Sequence, residues 1–419
     1  MGVGPANLSL ASLLHGRQDF PNLFLEQREK FGWHDGQLLH DASLQVSMLK
    51  DLVTLADPTN PFSFLSYLHS RGRMYHFINA QFEAVPRKEY RNYLEWACGR
   101  NENLAFGESV LSIGFDGDFI VETTRRLVIA ANVVVGVGMR PWVPLHVAGS
   151  LGPSQFHAAE YLRHLDRLPG ARVVVVGGGQ SGAEIVLDLI NRRDADLPRQ
   201  VSWLSRRPNY FPIDDSPFTN DYFTPPFSDF FARLDEVTRK DFNGRHVLAS
   251  DGASESTLRQ IYQRLYRGRF IDRDQVDVAL LPGREVSEVA RTDSGWRLSM
   301  MNRYLGAPEQ VEGDVVIWAT GFRRPELTFL APIADRLERV GDEFRVDRDF
   351  AVAWDGPTDR SLFLQNATRQ QRGLADPNLS LLAWRSKRIA DRMLGRPGDE
   401  PVESFVDWSG ETGGQGADR

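Results

Sequence analysis

The sequence has a single cysteine, no long apolar run and no block of charge of one sign. Cys98 is the only cysteine among 419 residues, so an internal disulfide is excluded and a reducing compartment is favoured. We expect Cys98 to be a buried apolar residue. No apolar run reaches the roughly 18 residues that span a bilayer, and no signal-peptide pattern opens the chain. The protein is therefore expected to be cytoplasmic, without a transmembrane segment.

The charged residues are balanced and dispersed along the chain. There are 49 Lys and Arg against 56 Asp and Glu, a formal net charge of −7, and no basic stripe that would bind nucleic acid. The hydrophobic set makes up 42% of the residues, which is enough for two or three cores. These proportions exclude a fibre, a disulfide scaffold and a disordered protein. Neither a nucleic-acid partner nor a metal site is predicted.

A glycine-rich turn in the middle of the chain predicts a dinucleotide site. Four valines follow Arg172 and indicate a strand buried on both faces, and residues 183–191 have helical periodicity. Gly177, Gly179 and Gly182 lie between them with G-x-G-x-x-G spacing. In that motif the glycines allow a tight turn, close approach of a pyrophosphate and packing of the helix on the strand.

The end of the next strand predicts which nicotinamide cofactor is bound. Residues 200–205 read as a strand that ends at Ser205. Arg206 and Arg207 follow, at the place where an acidic residue would hold the 2′-hydroxyl of NADH. Arginine suits a 2′-phosphate, so NADPH is favoured; two solvated loop arginines are the alternative. Gln180 and Ser181, inside the turn, complete the predicted contacts with NADPH.

A second turn of this kind opens the chain. Its predicted contacts with a dinucleotide are Gly2, Gly4, Pro5 and Asn7. We expect a helix over 6–14 and a strand over 22–25, after which Glu26 can accept hydrogen bonds from the ribose hydroxyls of FAD or NAD. Such a turn should follow a strand, so the first strand of this sheet is apparently missing from the chain. We expect the natural start to lie upstream of Met1; a tolerated gap that weakens cofactor binding is the alternative.

Two turns in one chain imply two nucleotides, usually a flavin reduced by a nicotinamide. The expected fold is α/β, with two Rossmann-like dinucleotide-binding domains, one for FAD and one for NADPH, and a small substrate-binding portion. Strands at 132–135 and 314–318 each break at glycine, and in two-dinucleotide flavoproteins such strands return the chain to the FAD domain. The predicted parts are the first part of the FAD domain at 1–160, the NADPH domain at 161–310 with a substrate-binding insertion at about 208–270, the FAD return segment with a closing helix at 311–395, and a C-terminal tail at 396–419, disordered from Gly410.

Several ordered motifs resemble those of the siderophore-pathway N-hydroxylating monooxygenases, the lysine N6- and ornithine N5-hydroxylases and their diamine relatives. The motifs lie at residues 2–7, 33–36, 44–55, 209–223 and 319–322, and the similarity runs to about Gly395. The resemblance implies that FAD and NADPH are used to insert one atom of O₂ into a primary amine through a flavin C4a-hydroperoxide. The product is a hydroxylamine that is later acylated into an iron-binding hydroxamate. It also implies a homo-oligomer, often a tetramer.

The same resemblance assigns roles on the cofactor side of the site. Trp33, His34 and Gln45 would line the flavin, with Gln45 near the ring position where oxygen adds, and Gly321 would also contact cofactor. Asn220 would lie near the reacting amine and the nicotinamide, where an uncharged amide can orient a neutral amine. The alternatives are that Trp33 is core packing, that His34 is a satisfied loop histidine and that Asn220 is a turn residue.

On the substrate side, the resemblance implies that Lys50 pairs with the α-carboxylate of an amino acid. Asp251 could meet the α-ammonium, and Leu379 and Ser380 would reach flavin and substrate from the start of the closing helix. A structural lysine, a simple Asp-Gly turn and a core leucine are the alternatives. Because a diamine has no carboxylate, Lys50 favours an amino acid, and residues 248–253 look more like the lysine branch than the ornithine branch.

The leading hypothesis is therefore an N-hydroxylase of L-lysine. Cadaverine, putrescine, ornithine and histamine remain alternative substrates, because all present the same primary amine. A Baeyer-Villiger or sulfur-oxidising flavoprotein shares both turns but would lack the motif at 44–55. A degenerate, non-catalytic relative that binds NADPH alone is the hypothesis outside enzymes.

Overall fold

The computed structural model describes residues 1–272, 276–398 and 402–408; the predicted disorder from Gly410 onward lies outside them. The α-helices are α1 (Pro5–Leu13), α2 (Phe64–Ser70), α3 (Met74–Ala80), α4 (Arg87–Cys98), α5 (Leu145–Ala148), α6 (Gln180–Asn191), α7 (Pro217–Asn220), α8 (Pro225–Arg233), α9 (Glu236–Arg245), α10 (Leu248–Asp251), α11 (Glu255–Arg267), α12 (Arg369–Arg372) and α13 (Leu382–Met393). The strands are β1 (Phe24–Leu25), β2 (Leu104–Ala105), β3 (Val110–Asp116), β4 (Asp118–Thr123), β5 (Leu127–Ala130), β6 (Asn132–Val135), β7 (Arg140–Pro141), β8 (Gln155–His157), β9 (Arg172–Val176), β10 (Gln200–Ser205), β11 (Asp277–Pro282), β12 (Arg284–Thr292), β13 (Gly295–Asn302), β14 (Ala307–Gly313), β15 (Val315–Trp318), β16 (Phe322–Arg323), β17 (Arg339–Val340), β18 (Glu343–Phe344) and β19 (Ser361–Leu364).

The first unit is built around α1 and two short pairs of parallel strands. β1 pairs with β2, and β6 pairs with β19. Met1 and Gly2 lie between the two pairs, since the Gly2 amide donates to Leu25 O at 2.7 Å and the Gly136 amide donates to Met1 O at 3.0 Å. The first turn therefore sits at the carboxyl ends of these strands, where an α/β sheet binds its ligand. The strand expected ahead of Gly2 stays a prediction.

The core of this unit is formed by helices that pack on α1. α4 buries Tyr90, Tyr93, Leu94, Ala97 and Cys98, a spacing of three and four residues that places them on one face of the helix. α1 packs against α4 and α13 and is buried along most of its length. The prediction that Cys98 is a buried apolar residue is confirmed.

The second unit is a five-stranded parallel sheet with the strand order β11-β10-β9-β15-β8. β9 lies in the middle and its residues 173–175 are buried, as the apolar run at 172–176 predicts. α6 and α11 cover one face of the sheet. The other face packs against the antiparallel sheet β12-β13-β14 through Trp296, Leu298 and Met300. Helices occupy 217–267 between β10 and β11; that this stretch belongs to a substrate-binding insertion at about 208–270 stays a prediction.

The sheet pairing corrects two details of the predicted domain division. β8 and β15 both belong to the second sheet, β15 pairing directly with β9. This unit therefore extends over about 155–318 rather than 161–310, and the strand at 314–318 does not return to the FAD sheet. The chain returns to the first unit just after β15, through β16, which pairs with β7. β7 and β16 are the two strands in which the chain crosses between the units. A buried valine-rich parallel strand has the same local sequence in either sheet, so its pairing could not be predicted.

No helix in the described ranges is long and apolar enough to cross a membrane.

Candidate active site

The first turn exposes a helix N-terminus with room for a phosphate. Gly4 precedes α1, and none of the described side chains caps that helix. The first-turn amides of a helix have no intrahelical acceptor, so they are available to an anion. A Cβ built on Gly4 would meet no atom within 4 Å, which leaves open space for a pyrophosphate. The turn therefore fits the dinucleotide that its sequence predicts.

Two side chains hold this turn in shape. Glu26 accepts from the amide of Val3 at 2.8 Å and from that of Arg28 at 3.0 Å. A carboxylate has further lone pairs, so Glu26 can still accept from a ribose hydroxyl. Asn7 is fully buried, and its amide group donates to the carbonyls of Met1 at 2.7 Å and Gly2 at 2.9 Å. The buried Asn7 side chain therefore closes the turn from beneath, and a contact of Asn7 with cofactor stays a prediction.

The second turn has the geometry expected of its glycines. A Cβ on Gly182 would lie 2.1 Å from the carbonyl oxygen of Gly177, so only glycine lets α6 pack this closely on the turn. Trp203, on the neighbouring strand, donates to the same carbonyl at 2.8 Å. Gly179 precedes α6, again without a side-chain cap from any described residue. The second turn therefore also fits a pyrophosphate at a helix N-terminus.

At the end of β10, Arg206 is exposed, whereas Ser205 and Arg207 form hydrogen bonds within the protein. Arg206 is exposed, where it can meet the 2′-phosphate of a bound nucleotide. Arg207 donates to the backbone carbonyl of Asp251 at 2.9 Å. Ser205 is buried and its hydroxyl accepts from the Arg207 amide at 3.1 Å. Ser205 therefore shapes the loop that presents Arg206, and its contact with cofactor stays a prediction.

Of the predicted flavin residues, Gln45 contacts the second turn, and His34 lies beside the crossing strand β16. Gln45 donates from Nε2 to Oε1 of Gln180 at 3.3 Å, which joins the motif at 44–55 to the first residue of α6. Trp33 and His34 are in edge contact, and the His34 ring meets Phe322 with ring centroids 5.9 Å apart. Trp33 also packs against the first core. The two predicted cofactor sites thus face one another.

Gly321 is held in place by a buried histidine. The Gly321 carbonyl accepts from the amide of Trp142 at 3.0 Å and lies 3.0 Å from Nε2 of His157. The other ring nitrogen, Nδ1, accepts from the amide of Ala159 at 3.0 Å, so Nε2 carries the proton and the ring is neutral. Burial lowers the pKa of His157 to about 4. His157 therefore fixes the crossing between the units as a neutral side chain.

Lys50 and Ser380, predicted to bind substrate from distant parts of the chain, are in contact. Lys50 donates from Nζ to Oγ of Ser380 at 3.2 Å and lies 6.0 Å from the centre of the Phe223 ring. Burial lowers the pKa of Lys50. Leu379 packs against the first core beside this contact. The segment just before α13 thus reaches the motif at 44–55, and its contacts with flavin and substrate stay predictions.

Asn220 and Asp251 lie on the insertion. Asn220 ends α7 and is exposed, and its side chain donates to the carbonyl of Asp215 at 2.8 Å. The Asp251 carboxylate accepts from Ser250 at 2.9 Å and lies 3.6 Å from Arg369. The structure thus places Asp251 beside an arginine and beside the second turn. Roles for Asn220 and Asp251 toward substrate stay predictions.

The sequence analysis missed three residues that link these parts, Arg87, Glu184 and Ser254. Arg87 and Glu184 form a buried ion pair across the two units, with 2.7 Å between Nη2 and Oε1. Ser254 donates its amide to Oε1 of Gln180 at 2.6 Å. A glutamate between the apolar residues Ala183 and Ile185 of α6 is a signal that a partner is needed, but the sequence does not say which.

Comparisons with known proteins agree with this arrangement. The family model for L-lysine 6-monooxygenase/L-ornithine 5-monooxygenase matches residues 1–324. The L-lysine N6-monooxygenase of Escherichia coli is 37% identical over 402 residues, which cover 94% of each chain. The FAD-bound cadaverine monooxygenase of the desferrioxamine pathway of Erwinia amylovora superposes with a TM-score of 0.89, at 27% identity, over 97% of this chain and 98% of that one. The ornithine N-hydroxylase of Kutzneria sp. 744, solved with reduced FAD, NADP⁺ and L-ornithine, superposes with a TM-score of 0.85, at 29% identity, over 94% and 97% of the two chains.

The family match covers both turns and the motif at 44–55 that contains Gln45 and Lys50. The superpositions confirm the α/β fold with two dinucleotide-binding units. The chain belongs to the family of L-lysine 6- and L-ornithine 5-monooxygenases, N-hydroxylating monooxygenases of siderophore biosynthesis.

Proposed function

We propose that the chain hydroxylates the side-chain amine of L-lysine, using FAD, NADPH and O₂, in the biosynthesis of a hydroxamate siderophore. The assignment of L-lysine as substrate rests on the environment of Lys50. Its ammonium is half-buried, donates to the Ser380 hydroxyl and lies 6.0 Å from the centre of the Phe223 ring; burial lowers its pKa, and none of the described carboxylates contributes to that shift. A desolvated cation without an anion is costly, so a substrate carboxylate at Lys50 offsets that cost.

The cofactor assignment rests on the two turns. The open face of Gly4 and the N-terminus of α1 fit FAD, and the second turn with exposed Arg206 fits NADPH. The similar structures from Erwinia and Kutzneria contain FAD, and the latter also contains NADP⁺. When bound, the flavin supplies the activation of O₂ with electrons from NADPH. The residues of this chain supply binding, orientation and exclusion of water.

The substrate amine has to lose its proton before it can act as a nucleophile. An alkyl ammonium in water has a pKa of about 10.4, so the site must favour the neutral form. Exclusion of water around the bound amine serves this, because desolvation disfavours the charged form and lowers the pKa of an amine. Asn220 can orient the neutral amine through its amide without adding charge. Neither role requires a catalytic triad.

A diamine is the second candidate, favoured by the high structural similarity to a cadaverine monooxygenase. The two candidates differ at Lys50, because cadaverine brings a second ammonium where lysine brings a carboxylate and an α-ammonium. Purified, FAD-loaded protein should form hydroxylamine with L-lysine far faster than with cadaverine, putrescine or L-ornithine at equal concentration. Hydroxylation of cadaverine but not lysine would overturn the assignment of substrate. Loss of flavin absorbance after incubation with FAD and gel filtration would overturn the assignment of activity.

A further inference from the structure

A buried ion pair joins the flavin side of the molecule to the nicotinamide side. Arg87 begins α4 in the first unit, and Glu184 lies in the first turns of α6 in the second unit, 97 positions away. Both guanidinium ends are used, with Nη2 to Oε1 at 2.7 Å and Nη1 to Oε2 at 2.8 Å. The Glu184 side chain is 6% exposed and that of Arg87 14%. This planar, two-point contact fixes orientation as well as distance.

On the flavin side, Arg87 holds the loop that runs from the predicted flavin residues to Gln45. Its guanidinium donates to the carbonyls of Gln37 and Ser43, each at 3.3 Å. Its own amide donates to the carbonyl of Ala42 at 2.8 Å. The segment between His34 and Gln45 is therefore tied to the same side chain that reaches Glu184.

On the nicotinamide side, Glu184 holds the first residue of α6. Oε1 of Glu184 accepts from Nε2 of Gln180 at 2.7 Å. This fixes the Gln180 amide so that its oxygen accepts from the Ser254 amide at 2.6 Å and from Gln45 Nε2 at 3.3 Å. The chain of contacts thus begins and ends in the first unit, on Arg87 and Gln45, and passes through the second turn.

The two units also meet through the crossing strands β7 and β16, which are two residues each, through residues 35–37 packed on 158–163, and through the ion pairs of Asp229 with Arg372 and Arg388. Hydride transfer requires the reacting atoms to approach within roughly 3–3.5 Å, so a small rotation between the units is enough to abolish it. We propose that Arg87 and Glu184 are positioning residues that hold the second turn against the Gln45 loop, so that NADPH on one unit meets the flavin on the other. This inference rests on the proposed function.

The test compares Glu184→Gln with Asp188→Asn in FAD-loaded full-length protein. Asp188 lies one turn further along α6 and also pairs with an arginine, Arg192 at 3.0 Å, and it accepts from the Tyr161 hydroxyl at 2.5 Å; both partners lie within the second unit. The limiting rate of anaerobic flavin reduction at saturating NADPH should fall at least ten-fold in Glu184→Gln, with FAD content and the Kd for NADPH within two-fold of wild type. Hydrogen–deuterium exchange should become faster at residues 36–45 and 252–256. Asp188→Asn should match wild type within two-fold in both measurements.

Arg87→Lys is the second variant, because lysine keeps the charge but cannot hold both carboxylate oxygens and two carbonyls. Its limiting rate of flavin reduction and its hydrogen–deuterium exchange at residues 36–45 should both lie between those of wild type and those of Glu184→Gln. Unchanged exchange at 36–45 in Glu184→Gln would overturn the inference, as would an unchanged limiting rate beside a wild type that NADPH reduces normally. Failure of NADPH to reduce the wild-type flavin would instead overturn the proposed function, and with it the role in hydride transfer.

Discussion

Lys50→Met offers the sharpest test of how the site selects its substrate. The variant keeps an unbranched side chain, one atom shorter, but removes the charge that faces Ser380 and Phe223. Two charges 4 Å apart interact by about 4 kcal/mol at an effective dielectric constant of 20, and part of this is lost to desolvation. A hydrogen bond to a charged group contributes about 1.5–3 kcal/mol net. We therefore expect kcat/KM for L-lysine to fall by about 10- to 150-fold.

The assay measures hydroxylamine formation against amine concentration at saturating NADPH, with L-lysine and cadaverine side by side. Cadaverine lacks the carboxylate, so its kcat/KM should stay the same or rise in Lys50→Met. Ser380→Ala removes one neutral partner of Nζ and should cost about 1 kcal/mol, or roughly five-fold. Lys88→Met, at an exposed position on α4, is the matched control and should behave as wild type. An equal loss with both amines, or no loss with lysine, would refute the role of Lys50.

Four further outcomes follow from the two turns and the crossing between the units. Gly4→Ala should fold with an unchanged Tm, because its Cβ meets no atom within 4 Å, but should bind FAD more weakly, as measured by absorbance titration. Gly182→Ala should lower the Tm, since the new Cβ overlaps a backbone carbonyl at 2.1 Å and overpacking costs about 1–3 kcal/mol. Arg206→Ala should raise the KM for NADPH by about 10- to 150-fold relative to NADH, the loss of a charge-assisted contact of about 1.5–3 kcal/mol. His157 has a pKa near 4 when folded and about 6.5 when unfolded, so its contribution to the free energy of unfolding is complete above pH 6.5 and is lost as the pH falls toward 4, by roughly 3 kcal/mol. Urea unfolding of wild type and His157→Asn should show a difference in stability that shrinks over this range.

Each of these has a result that would contradict it. A Gly4→Ala protein that binds FAD as tightly as wild type would mean that the phosphate does not approach this glycine. An unaltered Tm in Gly182→Ala would show that α6 can move away from the strand. Equal losses with NADPH and NADH would separate Arg206 from the 2′-phosphate. A constant stability difference between pH 4 and 7 would show that His157 does not titrate with unfolding.

Local sequence was sufficient for the elements that carry the turns. The strand at 200–205 has the predicted bounds, and the strand at 172–176 follows the valine run. The helices after the turns begin earlier than the apolar periodicity indicated, at Pro5 and Gln180 instead of residues 6 and 183. Helix N-termini are set by capping and by the turn rather than by the apolar face. Local patterns do not predict that the motif at 44–55 and the closing segment lie close together; only the family resemblance placed both near the substrate. The structure shows Lys50 in contact with Ser380.

The sequence by itself indicated the fold class and the two dinucleotide turns, because glycine spacing and apolar periodicity are local properties that survive without knowledge of partners, and the family came from the resemblance of its ordered motifs. Tertiary structure alone decided that the strand at 315–318 joins the second sheet, that Asn7 is buried beneath its turn, and that Arg87 meets Glu184. Those outcomes depend on which distant segments pack together. A strand, an amide or a charge has the same local sequence whichever partner it finds, and the partner here lies far along the chain.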